Sequence, residues 1–161
     1  MKIRKYWCNI IILLVNFCLS PLILSSEEYR FRSLQISEKL SNSSITCIFQ
    51  DSKGFLWIGT EAGLNLFDGN KVRNFEYLIK DKNLIGDNIL NIFEDSEGKI
   101  WIFARHSIFI YSWDTGMFEK LNLVDRNYNF YIRDGIEDED KNIWLASENG
   151  IMVLNNKREL I

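Results

Sequence analysis

Side chains with reactive potential are sparse in this chain. His106 is its one histidine, and no second His and no Cys stands at metal-ligand spacing from it, so neither a metal site nor a catalytic triad is expected there. Asp138-x-Asp140-x-Asn142 opens like a calcium loop. Its sixth place is Ile143 where glycine is needed, however, and its twelfth is Asn149 where glutamate is needed. Glu137-Asp138-Glu139-Asp140 therefore reads as a solvated turn. Of three cysteines, Cys8 and Cys18 lie in the apolar N-terminal segment. Cys47 is left alone in a β-rich run, where a buried, inert thiol is expected. Carboxylates are plentiful, but no pair is marked out for acid–base work. No glycine-rich phosphate loop or nucleophile motif occurs. The expectation is a protein that binds rather than catalyses, with no cofactor and no metal.

What positions any binding residue is a motif that comes round three times. It runs Asp51-Ser52-Lys53-Gly54-Phe55-Leu56-Trp57-Ile58-Gly59-Thr60, then Asp95-Ser96-Glu97-Gly98-Lys99-Ile100-Trp101-Ile102-Phe103-Ala104, then Asp138-Glu139-Asp140-Lys141-Asn142-Ile143-Trp144-Leu145-Ala146-Ser147. From Trp57 to Trp101 is 44 residues and from Trp101 to Trp144 is 43. A period of this size built from strand-like pieces is what one β-propeller blade occupies. Such a unit cannot bury its own apolar faces and must stack on its neighbours.

One repeat reads as four strands: Ile45 to Gln50, Phe55 to Gly59, Leu64 to Phe67 and Val72 to Tyr77, with Asp51 to Gly54, Glu61 to Gly63 and Asp68 to Asn70 as turns. The second repeat follows over Ile89 to Phe93, Ile100 to Phe103, Ile108 to Tyr111 and Met117 to Leu123. The third gives Tyr131 to Glu137, Asn142 to Ala146 and Gly150 to Leu154, with at most the beginning of a fourth strand. The fold expected is all-β, a partial propeller of about three four-stranded antiparallel blades, the third incomplete. Residues 27–44 are an N-terminal strand and lead-in, 45–87 blade 1, 88–130 blade 2 and 131–161 the incomplete blade 3. Asp51, Gly54, Trp57, Asp95, Gly98, Trp101, Asp138 and Trp144 carry the repeat. The Trp residues are expected to wedge between blades and the Asp residues to form turns. The third copy departs at Lys141, where the others have Gly54 and Gly98, and the second at Ser107, where the others have Gly63 and Gly150.

Propellers bind at the edge that carries the second-to-third-strand turns and the blade-to-blade loops. Here the turns supply Glu61, Arg105, His106, Glu148 and Asn149. The loops are Ser41 to Ser44, Ile85 to Asn88 and Asp125 to Asn129. They vary between copies while the frame does not, as expected when loops carry recognition on a rigid scaffold. Their Asn, Ser, Glu and Arg content suits hydroxyl-rich or charged ligands.

Ile-x-x-Ile/Phe, Asp-x-x-Gly-x-Leu/Ile-Trp-Ile-Gly-Thr and the following Gly-Leu resemble the two-component regulator propeller repeat. The resemblance covers Tyr29 to Asn155, closest in the first copy. It implies the exported sensor half of a hybrid two-component histidine kinase, often one that senses glycan fragments. In such proteins seven-bladed propellers, usually two, precede a further β domain, a membrane helix, and kinase and receiver domains. This chain shows no kinase or receiver sequence.

Residues 1–26 stand outside the repeat. Lys2, Arg4 and Lys5, the apolar run Ile10 to Val15 extended to Leu24, and the small Ser25-Ser26 before Glu27 fit a secretory signal peptide, or a membrane anchor if uncleaved. Either way the rest is expected in the periplasm, free or anchored to the inner membrane facing it, touching membrane only through residues 1–26. The formal charge of −3 includes the three basic groups of that segment, so the exported part carries −6, which argues against a nucleic-acid partner. About 135 residues remain, enough for one domain but not for a closed propeller. Each end blade would expose about 400 Å² of largely apolar surface, worth about 10 kcal/mol. The partners expected are therefore a glycan or other small ligand at the loop edge, and further blades or another protein at the open faces. Three functions stay open: an N-terminal fragment of an exported sensor propeller, a standalone interaction module that oligomerises, and a polysaccharide lyase on a propeller scaffold.

Overall fold

Runs of β-branched and aromatic residues between turns opened by Asp leave each repeat few options but a meander of short strands. The computed structural model describes residues 39–75, 87–121 and 131–161. The leader over 1–26, the early strand at Tyr29 to Leu34, most of the 27–44 lead-in and the loop Asp125 to Asn129 lie outside them, as do Glu76, Tyr77, Ile85, Gly86, Asn122 and Leu123. Ile45–Gln50 (β1), Leu56–Thr60 (β2), Gly63–Phe67 (β3) and Val72–Asn74 (β4) pair in chain order as one antiparallel sheet. Ile89–Glu94 (β5), Ile100–Ala104 (β6), Ser107–Ser112 (β7) and Met117–Leu121 (β8) repeat it. Ile132–Glu137 (β9), Ile143–Ser147 (β10) and Gly150–Leu154 (β11) form a three-stranded third sheet. A single bridge between Leu154 and Leu160 begins a fourth strand there.

Strand ends move from their expected places. Gly63, expected in the turn, pairs with Thr60 at the end of β2 and β3, and the same closing pair forms between Ala104 and Ser107 and between Ser147 and Gly150. The hairpins are thus two-residue turns, the tightest connection antiparallel strands allow. Phe55, Tyr131 and Asn142 fall just outside their strands.

The repeated aspartate both turns the chain and holds the tryptophan. Asp51 Oδ1 accepts the backbone N–H of Lys53 (3.1 Å) and Phe55 (2.9 Å), while its Oδ2 accepts Trp57 Nε1–H (2.8 Å). Asp95 does the same for Glu97, Lys99 and Trp101 (2.7 Å). Asp138 bonds Asn142 and Trp144 (2.7 Å). Gly54 and Gly98 close these turns at φ 87° and 75°, and Lys141 is held in the same left-handed region at φ 64°.

The core lies between sheets. Trp57, Leu64 and Leu66 of blade 1 meet Ile89, Ile92, Ile100, Ile102, Phe109 and Tyr111 of blade 2. Trp101, Phe103, Ile108 and Ile110 of blade 2 meet Ile132, Ile143, Leu145, Met152 and Leu154 of blade 3. Trp57 and Trp101 are 0% and 1% exposed, so each removes about 200 Å² from water, worth about 5 kcal/mol as an upper bound. Among the described residues Trp144 has no such neighbour, and it is 43% exposed on the forward face of blade 3. At each interface the inner strand of the later blade lies against the first two strands of the earlier one, β5 on β1 and β2, β9 on β5 and β6.

A polar latch repeats at the rim. Glu94 accepts the Ser52 backbone N–H and hydroxyl, both at 2.6 Å. Glu137 accepts the same two groups of Ser96, at 2.6 and 3.1 Å. The last residue of one inner strand thereby grips the Asp-Ser turn of the preceding blade.

Candidate functional site

The turns Glu61-Ala62, Arg105-His106 and Glu148-Asn149 each sit beside the lead-in to their own blade. Glu61 N–H donates to Ser44 O (3.1 Å), Arg105 N–H to Asn88 O (2.9 Å) and Glu148 N–H to Tyr131 O (3.3 Å). Turn and lead-in are thus tied into one edge by backbone bonds, independent of the side chains they display. Ser41 reinforces this edge in blade 1: its N–H donates to the buried Asn65 Oδ1 at 2.9 Å, and its hydroxyl pairs with Thr60 Oγ1 at 2.7 Å. In blade 2, Asp87 accepts the N–H of its neighbour Asn88 (3.0 Å) and of His106 (3.2 Å). Asn88 Oδ1 is a buried acceptor without a protein partner.

Between blades 2 and 3 these parts converge. The His106 ring lies 5.7 Å from that of Tyr131, tilted by 59°. Tyr131 also accepts Glu148 N–H, and the Glu148 carboxylate bonds the Arg133 guanidinium at 2.6 Å. That ion pair is 68% and 47% exposed, so it adds little to stability and leaves both groups open to a ligand. His106, Tyr131, Arg133 and Glu148 thus form one patch, with Arg105 exposed beside it. Of the five residues expected from sequence, Arg105, His106 and Glu148 come together here. Asn149 is exposed in the same turn as Glu148, its N–H bonded to Ser147 Oγ at 3.2 Å. Glu61 stays at the edge of blade 1, and the structure joins it to none of the others.

Arg133 and Tyr131 are the residues that sequence reasoning missed. Each inner strand carries one extra residue relative to its partner, between Ile45 and Cys47, between Ile89 and Asn91, and between Ile132 and Asp134. Thr46, Leu90 and Arg133 are those bulged residues. A bulge re-aims a side chain toward the sheet end, which puts Arg133 within reach of Glu148. The signal available in sequence was the broken alternation of Ile132-Arg133-Asp134.

Cys47 and Asp138 are the remaining candidates for chemistry. Burial pushes the Cys47 thiol up from its ordinary value, which favours the protonated form. The Asp138 carboxyl is held below the usual carboxylate range, chiefly by the Trp144 indole N–H and then by Asn142. Its carboxylate serves the turn rather than a cation. Among the described residues no three His, Cys, Asp or Glu side chains are grouped to hold a metal ion. Among them also, no helix is long and apolar enough to cross a membrane.

Residues 39–62 and 83–105 match the family model of the two component regulator propeller. A histidine kinase of Formosa agariphila is 34% identical over 74 residues, which cover 46% of this chain and 5% of that protein. The extracellular domain of a hybrid two-component system from B. thetaiotaomicron superposes with a TM-score of 0.61 at 23% identity, over 81% of this chain and 17% of that one. A second such domain from the same organism gives 0.63 at 15% identity, over 81% and 18%. A streptogramin B lyase gives 0.57 at 20% identity, over 75% and 40%. The chain thus spans between 5% and 40% of the length of each, and the structural likenesses concern the fold, a β-propeller.

Proposed function

We propose that this chain, which carries two-component regulator propeller repeats at 39–62 and 83–105, is part of an exported sensor propeller that takes a hydroxyl-rich ligand, such as a glycan fragment, at its turn edge. The patch of His106, Tyr131, Arg133 and Glu148 carries the reading. It sets two rings, tilted by 59° with centroids 5.7 Å apart, beside an exposed guanidinium–carboxylate pair. Rings stack on the apolar face of a pyranose, while Arg and Glu supply donors and acceptors for ring hydroxyls. Because the patch spans two blades, a ligand bridging it reports on their relative packing, which is what a sensor needs in order to pass a signal onward. The extracellular sensor domains of similar fold support the exported, signalling part of the reading.

The test is titration of the secreted chain with an oligosaccharide panel, followed by NMR chemical shifts and calorimetry. Binding should shift His106 and Tyr131 resonances. His106→Ala or Arg133→Ala should weaken it at least tenfold while the far-UV spectrum stays unchanged. Binding that ignores both substitutions would remove this edge as the site.

A further inference from the structure

At the end of the strands opposite the turn edge, each repeated Asp turn shares its end of the sheet with the hairpin that follows the third strand. Between blades 1 and 2 this corner is filled by rings. The Trp113 ring lies 4.8 Å from Phe55 and 5.9 Å from Trp57, with the Lys53 ammonium 5.8 Å from its centre. Between blades 2 and 3 the same corner is a groove of about 770 Å³. Lys99 stands there in the place of Phe55, and Asn156 in the place of Trp113. The buried Trp101 is covered by the Arg158 guanidinium, 5.5 Å from its ring, where Trp57 meets an indole. Both walls are neighbouring sheets within the chain. Ile161 N–H donates to Val153 O at 3.0 Å, so the strand begun at the Leu154–Leu160 bridge runs back along β11 toward the turn edge, away from the groove.

Cations distinguish this groove. Arg158 stands two residues before Leu160, as Gly116 stands two before Phe118, and both are in the left-handed region, at φ 63° and 66°. A side chain is kept in so strained a place where it supplies something glycine cannot. The Arg158 fork is largely unspent, since its one ion pair is a 3.4 Å contact with Glu119. Lys141, left-handed at φ 64°, lines the same groove. Glu97 gathers the group. It bonds Lys99 at 2.6 Å, and Lys99 chiefly, then Lys141 and Arg158, hold its carboxyl below the usual range. Two further carboxylates are committed elsewhere, Asp95 to its turn and Trp101, and Glu137 to the Ser96 latch. Lys99, Lys141, Lys157 and Arg158 thus face only Glu97 and Glu119 as movable acids, whose side chains are 55% and 76% exposed.

We propose that this groove binds a small doubly charged oxyanion, a phosphate, a sulfate or a dicarboxylate, between the Arg158 fork and the Lys99 and Lys141 ammonium groups. The guanidinium, backed by Trp101, presents the two-pronged edge that acid oxygens match, and the lysines act as point charges. The ligand's two charges take the places of the Glu97 and Glu119 carboxylates. Those swing into water at little cost, because exposed ion pairs are weak. A singly charged acid replaces only one of them and binds less well. The groove lies at the opposite end of the strands from His106 and Tyr131, so this binding is independent of a ligand at the turn edge.

Calorimetry of the full chain with inorganic phosphate, sulfate, succinate and acetate tests this. Saturable binding of at least one of the first three is expected, about tenfold tighter than acetate and weakened by added sodium chloride. The tightest of the three identifies the kind of acid. Arg158→Gly and Lys141→Gly should each weaken binding about tenfold, the loss of one charge-assisted contact. Both put glycine where the fold already uses it, at Gly116 and at Gly54 and Gly98, so the thermal midpoint should hold or rise and lost binding is not lost folding. Asn156→Trp should abolish binding by filling the groove with an indole, as in the first interface. No binding of phosphate, sulfate or succinate at millimolar concentration, acetate binding as tightly as they do, or binding indifferent to Arg158→Gly overturns the proposal.

Discussion

Asp95 shows how much one side chain can carry. Its two oxygens serve two turn N–H groups and an indole N–H whose ring is 1% exposed. Alanine there strands a buried donor that water cannot reach, so Asp95→Ala should cost about 3 kcal/mol in urea unfolding. Asp138→Ala should cost about 1 kcal/mol, because Trp144 is 43% exposed and its indole can turn to water. Lys141 is the opposite case. A side chain in the left-handed region at φ 64° is strained where Gly54 and Gly98 are not, so Lys141→Gly should raise stability by about 1 kcal/mol in the same assay. The aspartates and tryptophans were legible as a repeat, but not as partners. They stand six residues apart across a turn, and nothing in their spacing says that the carboxylate reaches past its own turn to the indole.

At the scale of strands and sheets, the interfaces are alike in plan and complementary in detail. Phe103 fills the room that Gly135 leaves, whereas the first interface has Gly59 and Ile92 at the same two places. Gly135→Ile should therefore cost about 3 kcal/mol, with the new side chain forced against a ring that cannot retreat. Phe103→Gly alone should cost a similar amount by opening a cavity. The double variant should recover at least 1 kcal/mol relative to the sum, since it copies the pairing of the first interface. A simple sum of the two effects in denaturant melts would show the sites to be uncoupled. Strand identities followed almost throughout from β-rich apolar runs between turn residues. The inner-strand bulges did not, because an extra residue breaks the period that reveals strands, and with them went Arg133 and its bond to Glu148.

Across the whole array, each sheet depends on its neighbours, and the sheets are unequal. Every residue of β6 is buried, whereas β1 and β9 each leave half or more of their residues exposed. Stability in a stacked array is close to a sum of sheet and interface terms, so blade 2, with two interfaces, should be its most protected part. Native-state hydrogen exchange should find the slowest amides at Ile100 to Ala104 and the fastest among strand amides in β11 and β4. Uniform protection across the three sheets would mean that they unfold as one unit.

The order of residues along the chain already contained the three-fold repeat, the all-β class, the tryptophan wedges and the turn edge, because each depends on local alternation and on turn chemistry within ten residues or so. Which faces find cover, how Gly135 yields to Phe103, where the serine–glutamate latches close and how His106 meets Tyr131 were not contained there. Those contacts join residues about 25 to 44 positions apart, and their partners are set by how one twisted sheet lies on the next.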